Sequence, residues 1–132
     1  MIYARIAALA LAIAVVLGSM GAHALRPHLS PEALNSWETA AKYQYYQSLG
    51  LLALAVAHMA GITQPKRMLW AMRIITFGMV CFCLSLYLRS SAPATGMDFT
   101  WLSPAAPTGG LLFIAGWLLA AFSFVSKSQH KA

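Results

Sequence analysis

Four apolar runs, Ile6–Leu25, Tyr45–Thr63, Met68–Leu88 and Thr108–Val125, take up most of this chain, with charged residues gathered near their ends. At a rise of about 1.5 Å per residue, a run of about 20 residues crosses a hydrocarbon core of about 30 Å. Backbone groups in lipid need partners within their own segment, so runs of this kind are helices. The alternating pattern of a membrane barrel strand is absent. Charged residues are only 9% of the chain, against about 25% in a soluble domain. So few charges do not keep this much apolar surface in water.

The charges divide into two unequal sets. Arg5, Lys66, Arg67, Arg73, Lys127 and Lys131 fall at the run ends that alternate to one side of a membrane. Arg26, Lys42, Arg89 and all three acids, Glu32, Glu38 and Asp98, fall on the other. Under the positive-inside rule this predicts an all-α, four-helix integral membrane bundle with both termini cytoplasmic. The remainder is two tails, a tight turn at Gln64–Arg67 and two outer loops, residues 26–44 and 89–107. No soluble catalytic domain fits there, so the expectation is one domain over residues 1–132. The net charge of +6 reads as orientation and contact with anionic lipid, not as a nucleic-acid surface, because the cations do not form one basic face.

Met1–Ala24 also resembles a secretory signal, with Arg5, an apolar core and Ala22-His23-Ala24 as a small-x-small site. The apolar stretch continues to Leu25, which favours a retained first helix. That helix carries Ala10, Ala14, Gly18 and Ala22 at four-residue spacing, a packing seam that lets a neighbouring helix approach closely. Asn35 with Glu38 three residues later predicts a cap for a second helix beginning near residue 36. Trp37, Tyr43, Tyr45 and Tyr46 suit the headgroup level. Pro65, Lys66 and Arg67 mark the inner turn, with Arg73 reaching back to the headgroups. Residues 89–106 read as irregular, and Thr108 as the cap of a fourth helix opened by Gly109-Gly110, whose free N–H groups can hold an anion.

Candidate chemistry is sparse. His23, near the outer end of the first run, has the standing of any ionisable group at membrane depth, although one histidine alone is a poor metal site. Gln44, Gln47, Leu51, Leu54 and His58 share one helical face, which should turn toward the bundle. A polar contact or pocket is expected around His23, Tyr43, Gln44, Gln47, Thr108, Gly109 and Gly110. Cys81 and Cys83 lie about 200° apart on a helix and do not chelate one metal. His28 and His130 join no cluster. The spans contain no carboxylate, and the chain lacks H-E-x-x-H, G-x-S-x-G and phosphate-loop motifs.

Read in order, Gly21-Ala22-His23-Ala24-Leu25, Trp37-Glu38-Thr39-Ala40 with Tyr43-Gln44, and Gly78 with Phe82 and Ser85-Leu86-Tyr87 form a recognisable series. Pro107-Thr108-Gly109-Gly110 with Phe113, Gly116 and Trp117 completes it. The series resembles domain-of-unknown-function family 423, small bacterial inner-membrane proteins with an animal mitochondrial relative. The resemblance implies a four-helix inner-membrane protein and brings no established activity. The family commonly has His where this chain has Gln47, a departure that disfavours a histidine-pair metal or haem site and keeps hydrogen bonding.

The functional expectation is a non-enzymatic structural or accessory protein without cofactor or metal, packing with lipids, other membrane proteins or copies of itself. The alternative is a small-molecule, lipid or quinone binder, or a minimal transporter, with an outward-facing pocket near His23 and Gln47.

Overall fold

The structure, a computed structural model, describes residues 1–125; Lys127, His130 and Lys131 lie outside the described residues. Four rods are built from five helices: α1 (Ile2–Ala22), α2 (Pro31–Met59), α3 (Pro65–Met79), α4 (Ser85–Thr95) and α5 (Ala105–Ala121). A π-helical segment, Val80–Leu84, joins α3 to α4, so Pro65–Thr95 is one rod of 31 residues. A short 3₁₀ turn, Thr100–Leu102, leads into α5. α1, the Pro65–Thr95 rod and Thr100–Ala121 are long and apolar enough to cross a membrane. α2 has 29 residues, about 43 Å of helix, and carries Gln44, Gln47 and Ser48 in its middle. All three are buried inside the bundle, so the polar middle of this helix faces its neighbours.

α1 packs along α2, α5 packs along the long rod, and α2 touches both α3 and α4. The bundle therefore has α2 and the rod at its centre, with α1 and α5 flanking. One apolar cluster includes Ala7, Leu51, Leu54, Met72, Ile75 and Ala120. A second includes Ala10, Trp37, Ala40, Met79, Tyr87 and Phe113. The chain beyond α5 returns to the α2–α3 turn, where Gln64 N–H donates to Ser123 O at 2.7 Å and Val125 N–H to Ile62 O at 3.1 Å. That short antiparallel pairing, Thr63 with Phe124, ties the end of the fourth rod to the turn between the second and third.

Helix ends depart from the sequence reading in three places. α2 begins at Pro31 and not near residue 36. Ser30 is its cap, with Oγ accepting from Ala33 N–H at 3.2 Å, and a proline in the first turn gives up an N–H that had no partner there. Asn35 lies inside the helix, where its carbonyl accepts from Thr39 Oγ1 at 2.8 Å. The rod continues through residues expected to be irregular, as far as Thr95. Hydroxyls of Ser90, Ser91 and Thr95 donate to carbonyls three or four residues back, at 2.6, 2.8 and 3.0 Å, and Gly96 closes the helix at φ 71°. Thr108 does not cap α5. The helix starts at Ala105, and Thr108 Oγ1 donates to Pro104 O at 2.7 Å within the first turn.

Candidate functional site

The interior chemistry is built on α2. Trp37, Gln44, Gln47 and Ser48 all face inward, because spacings of three, four and seven return to one side of a helix. Gln44 is used at both ends. Its Nε2 donates to Ala10 O at 2.9 Å, and its Oε1 accepts from Tyr87 Oη at 2.9 Å. Trp37 Nε1 donates to Leu17 O at 2.8 Å, and its ring meets Tyr87 edge-on with centroids 4.7 Å apart. These contacts join α1, α2 and α4. Gln47 makes the corresponding link to α5, accepting from Trp117 Nε1 at 2.8 Å.

Glycines seat the two tryptophans. A Cβ at Gly21 would lie 2.6 Å from Trp37 Cδ1, and one at Gly50 would lie 2.4 Å from Trp117 Cζ2. The small-residue stripe of α1 is spent the same way. Ala10 and Ala14 are buried, Gly18 is half-buried within reach of Tyr45, and Ala22 is exposed. The sequence reading missed a tighter seam between α3 and α5, made by Gly78, Gly109 and Gly116. A Cβ at Gly109 would stand 2.6 Å from Phe82 N and 2.8 Å from Gly78 O. Its sequence signal was the periodicity of Gly109, Phe113, Gly116 and Ala120, the buried residues of α5.

Two elements of the predicted pocket are corrected by this geometry. Gly109 and Gly110 do not open a helix, because both lie within α5. Gly109 is buried against the rod, while Gly110 has nothing within 4 Å of where a Cβ would stand. Nor do His23 and Gln47 meet. Gly21 faces Trp37 and Ala10 faces Gln44, so α1 and α2 run antiparallel and His23 lies near the start of α2. Gln47 is ten residues below Trp37, about 15 Å along the axis. His23 itself is exposed at the end of α1. The level of Ala10 puts Gln44 and Gln47 near the middle of the bundle and not at the end that carries His23.

Tyr43, Gln47 and Gly110 do come together. With Phe82, Pro107 and Phe113 they line a groove of about 510 Å³ between α2 and α5. Tyr43 leans on Phe82, centroids 4.7 Å apart, and lies nearly parallel to Phe113 at 6.3 Å. A second groove, about 280 Å³, lies between α1 and the rod beside Ala10, Leu17, Met79 and Cys83. At the end of the bundle a cleft of about 290 Å³ carries Glu32, Arg89 and Asp98. Thr100 backbone N–H, 2.9 Å from Asp98 Oδ1, holds that carboxyl below its ordinary range. At the opposite end His58 Nδ1 lies 3.3 Å from Thr63 Oγ1, and Arg73 lies over the Trp70 ring at 5.1 Å. Among the described residues no three His, Cys, Asp or Glu side chains converge on a common point.

The rods and their inward amide and hydroxyl contacts define a small polytopic helical membrane protein. Comparison with known proteins agrees. The family model described as protein of unknown function (DUF423) matches residues 17–110, and the chain belongs to that family. It is 37% identical over 121 residues to UPF0382 membrane protein SH2409 of Staphylococcus haemolyticus, covering 89% of this chain and 93% of that protein. Identity is 31% over 115 residues to UPF0382 membrane protein YwdK of Bacillus subtilis, covering 86% and 87%. A UPF0382 membrane protein of Haemophilus influenzae is 31% identical over 127 residues, covering 96% of each chain. No solved structure matches.

Proposed function

We propose that this chain is a non-enzymatic structural or accessory protein of the inner membrane, with both termini cytoplasmic, that packs with lipids and other membrane proteins. The observation carrying this reading is the use of its buried polar groups. Gln44, Gln47, Ser48, Thr63, Ser85, Ser90 and Ser123 are uncharged, and each is hydrogen-bonded inside the chain. Gln44, Gln47 and Ser48 bond across to neighbouring helices, the use polar groups have as glue in lipid. Ser85, Ser90 and Ser123 donate to carbonyls three or four residues back. These contacts account for the side chains without a reaction. The orientation is supported by the cations. Arg5 lies in the first turn of α1, and Lys66 and Arg67 follow the α2–α3 turn that pairs with the end of α5.

One experiment tests both parts. A green fluorescent protein fused to the C-terminus should fluoresce in cells, because that protein matures in the cytoplasm and not after export in unfolded form. The same tag should follow the protein into a species larger than a single chain on a native gel after mild detergent extraction. A dark fusion contradicts the orientation, and a single-chain band contradicts the packing role.

A further inference from the structure

Two glutamines three residues apart on α2 are treated differently by the fold. Gln44 has a partner at each end of its amide. Gln47 has a partner only for its oxygen. An indole N–H donates and does not accept, so Trp117 fixes which way the Gln47 amide points and leaves the NH₂ group without a bond among the described residues. Gln47 is 9% exposed. Its NH₂ is still reachable, since no fully enclosed side-chain N or O lacks a partner among the described residues. The residue lines the groove between α2 and α5. An amide donor left unmet at membrane depth costs free energy that a hydrogen-bond acceptor recovers.

The rest of the groove says what kind of acceptor fits. Its walls are aromatic and aliphatic: Phe82, Leu111, Phe113 and Ile114 beside the Tyr43 ring. Lining residues Leu111 and Ile114 are exposed on the lipid-facing side of α5, so entry is sideways from the bilayer. The volume of about 510 Å³ falls in the range of about 300–1,000 Å³ usual for small-molecule sites. Tyr43, a residue with a hydroxyl donor, lines the same groove one helical turn from Gln47, about 6 Å along α2. Two donors a turn apart beside aromatic rings suit a flat ring with carbonyls on opposite sides. A phospholipid ester matches less well, because its carbonyls lie at the interface while Gln47 lies mid-bundle.

We propose that the groove between α2 and α5 binds a lipid-soluble quinone, with the Gln47 NH₂ and the Tyr43 hydroxyl donating to its two carbonyl oxygens. Phe82 and Phe113, whose ring centroids lie 5.6 Å apart, together form the aromatic wall beside the ring, and the isoprenoid tail leaves between α2 and α5 into lipid. This goes beyond the packing role proposed above and does not depend on the orientation of the bundle.

The test uses the purified full-length chain in detergent, titrated with decylubiquinone and read by its thermal unfolding midpoint. A ligand that binds only the folded state raises that midpoint. Decylubiquinone should raise it saturably, and decylbenzene, which carries the same chain without carbonyls, should not. Gln47→Leu and Tyr43→Phe, each measured against its own ligand-free midpoint, should need about tenfold more quinone for half the shift, the effect of one lost hydrogen bond. An equal shift with decylbenzene overturns the proposal, as does an unchanged titration in Gln47→Leu. Because the native-gel result is read without added quinone, failure here leaves the packing role standing.

Discussion

Gly109→Leu separates α5 from the long rod. The obstacle at this position is backbone: Phe82 N at 2.6 Å and Gly78 O at 2.8 Å from the new Cβ, with Phe82 Cβ at 2.7 Å. None of these atoms turns aside by a rotamer change, so the rods must move apart along the whole Gly78–Gly109–Gly116 seam. Lipid provides no hydrophobic drive to hold helices together, and close packing supplies much of the association energy. The expected loss is at the upper end of the overpacking range, about 3 kcal/mol, seen as a lower unfolding midpoint in mild detergent. Gly110→Leu is the matched control. It adds the same side chain one residue on, where nothing lies within 4 Å, and its midpoint should stay near that of the wild type. Equal losses in the two variants would contradict the seam.

Gly50→Leu should be the second most damaging change, for a different reason. Here the obstructing atoms are Trp117 Cζ2 and Cη2, at 2.4 and 2.5 Å from the added Cβ. The indole is able to swing away, but doing so takes Nε1 from Gln47 Oε1. The variant therefore loses the ring's packing and leaves a buried amide with neither end partnered. About 2 kcal/mol is expected from overpacking and the broken interhelical bond together. Trp117→Phe, which removes the bond and keeps an aromatic ring, should cost less. A Gly50→Leu protein as stable as Trp117→Phe would mean that the ring does not rest on this glycine.

The membrane class and the number of rods were legible in the sequence because lipid leaves few choices. Long apolar runs must be helices, and Pro65 with its neighbouring cations marks one turn. The inward face of α2 was legible too, since Gln44, Gln47, Leu51 and Leu54 repeat at helical spacing and are all buried. Helix ends were less so. Ser30-Pro31 and Asn35 both carry cap chemistry, and sequence alone does not rank them. The run from Arg89 to Thr95 looked irregular because serine, threonine and proline favour loops. In this case the hydroxyls turn back onto the helix's own carbonyls. The π-helical segment at Val80–Leu84 has no proline or glycine to announce it. It sits where α5 comes closest to the rod at Phe82, a contact that sequence does not show.

The site was half legible. Tyr43, Gln47 and Gly110 do share a groove, but His23 does not join them. Depth along two antiparallel helices depends on which residues face each other, and the pairings Gly21–Trp37 and Ala10–Gln44 emerge only from packing. Similarly, Gly109-Gly110 looked like a helix start because Pro107-Thr108 offers cap chemistry just before it. Its first glycine turns out to be a close backbone approach between α5 and the long rod, with Phe82 N 2.6 Å from where a Cβ would stand.

The central claim is that the bundle's buried glutamines hold its own helices together, and the Gln44–Tyr87 pair tests it most directly. A double-mutant cycle with Gln44→Leu and Tyr87→Phe, measured by reversible unfolding in detergent or bicelles, isolates that contact from the packing around it. The predicted coupling is about 0.6–1.7 kcal/mol, the range of interhelical hydrogen bonds in membranes. Strictly additive effects of the two substitutions would contradict it.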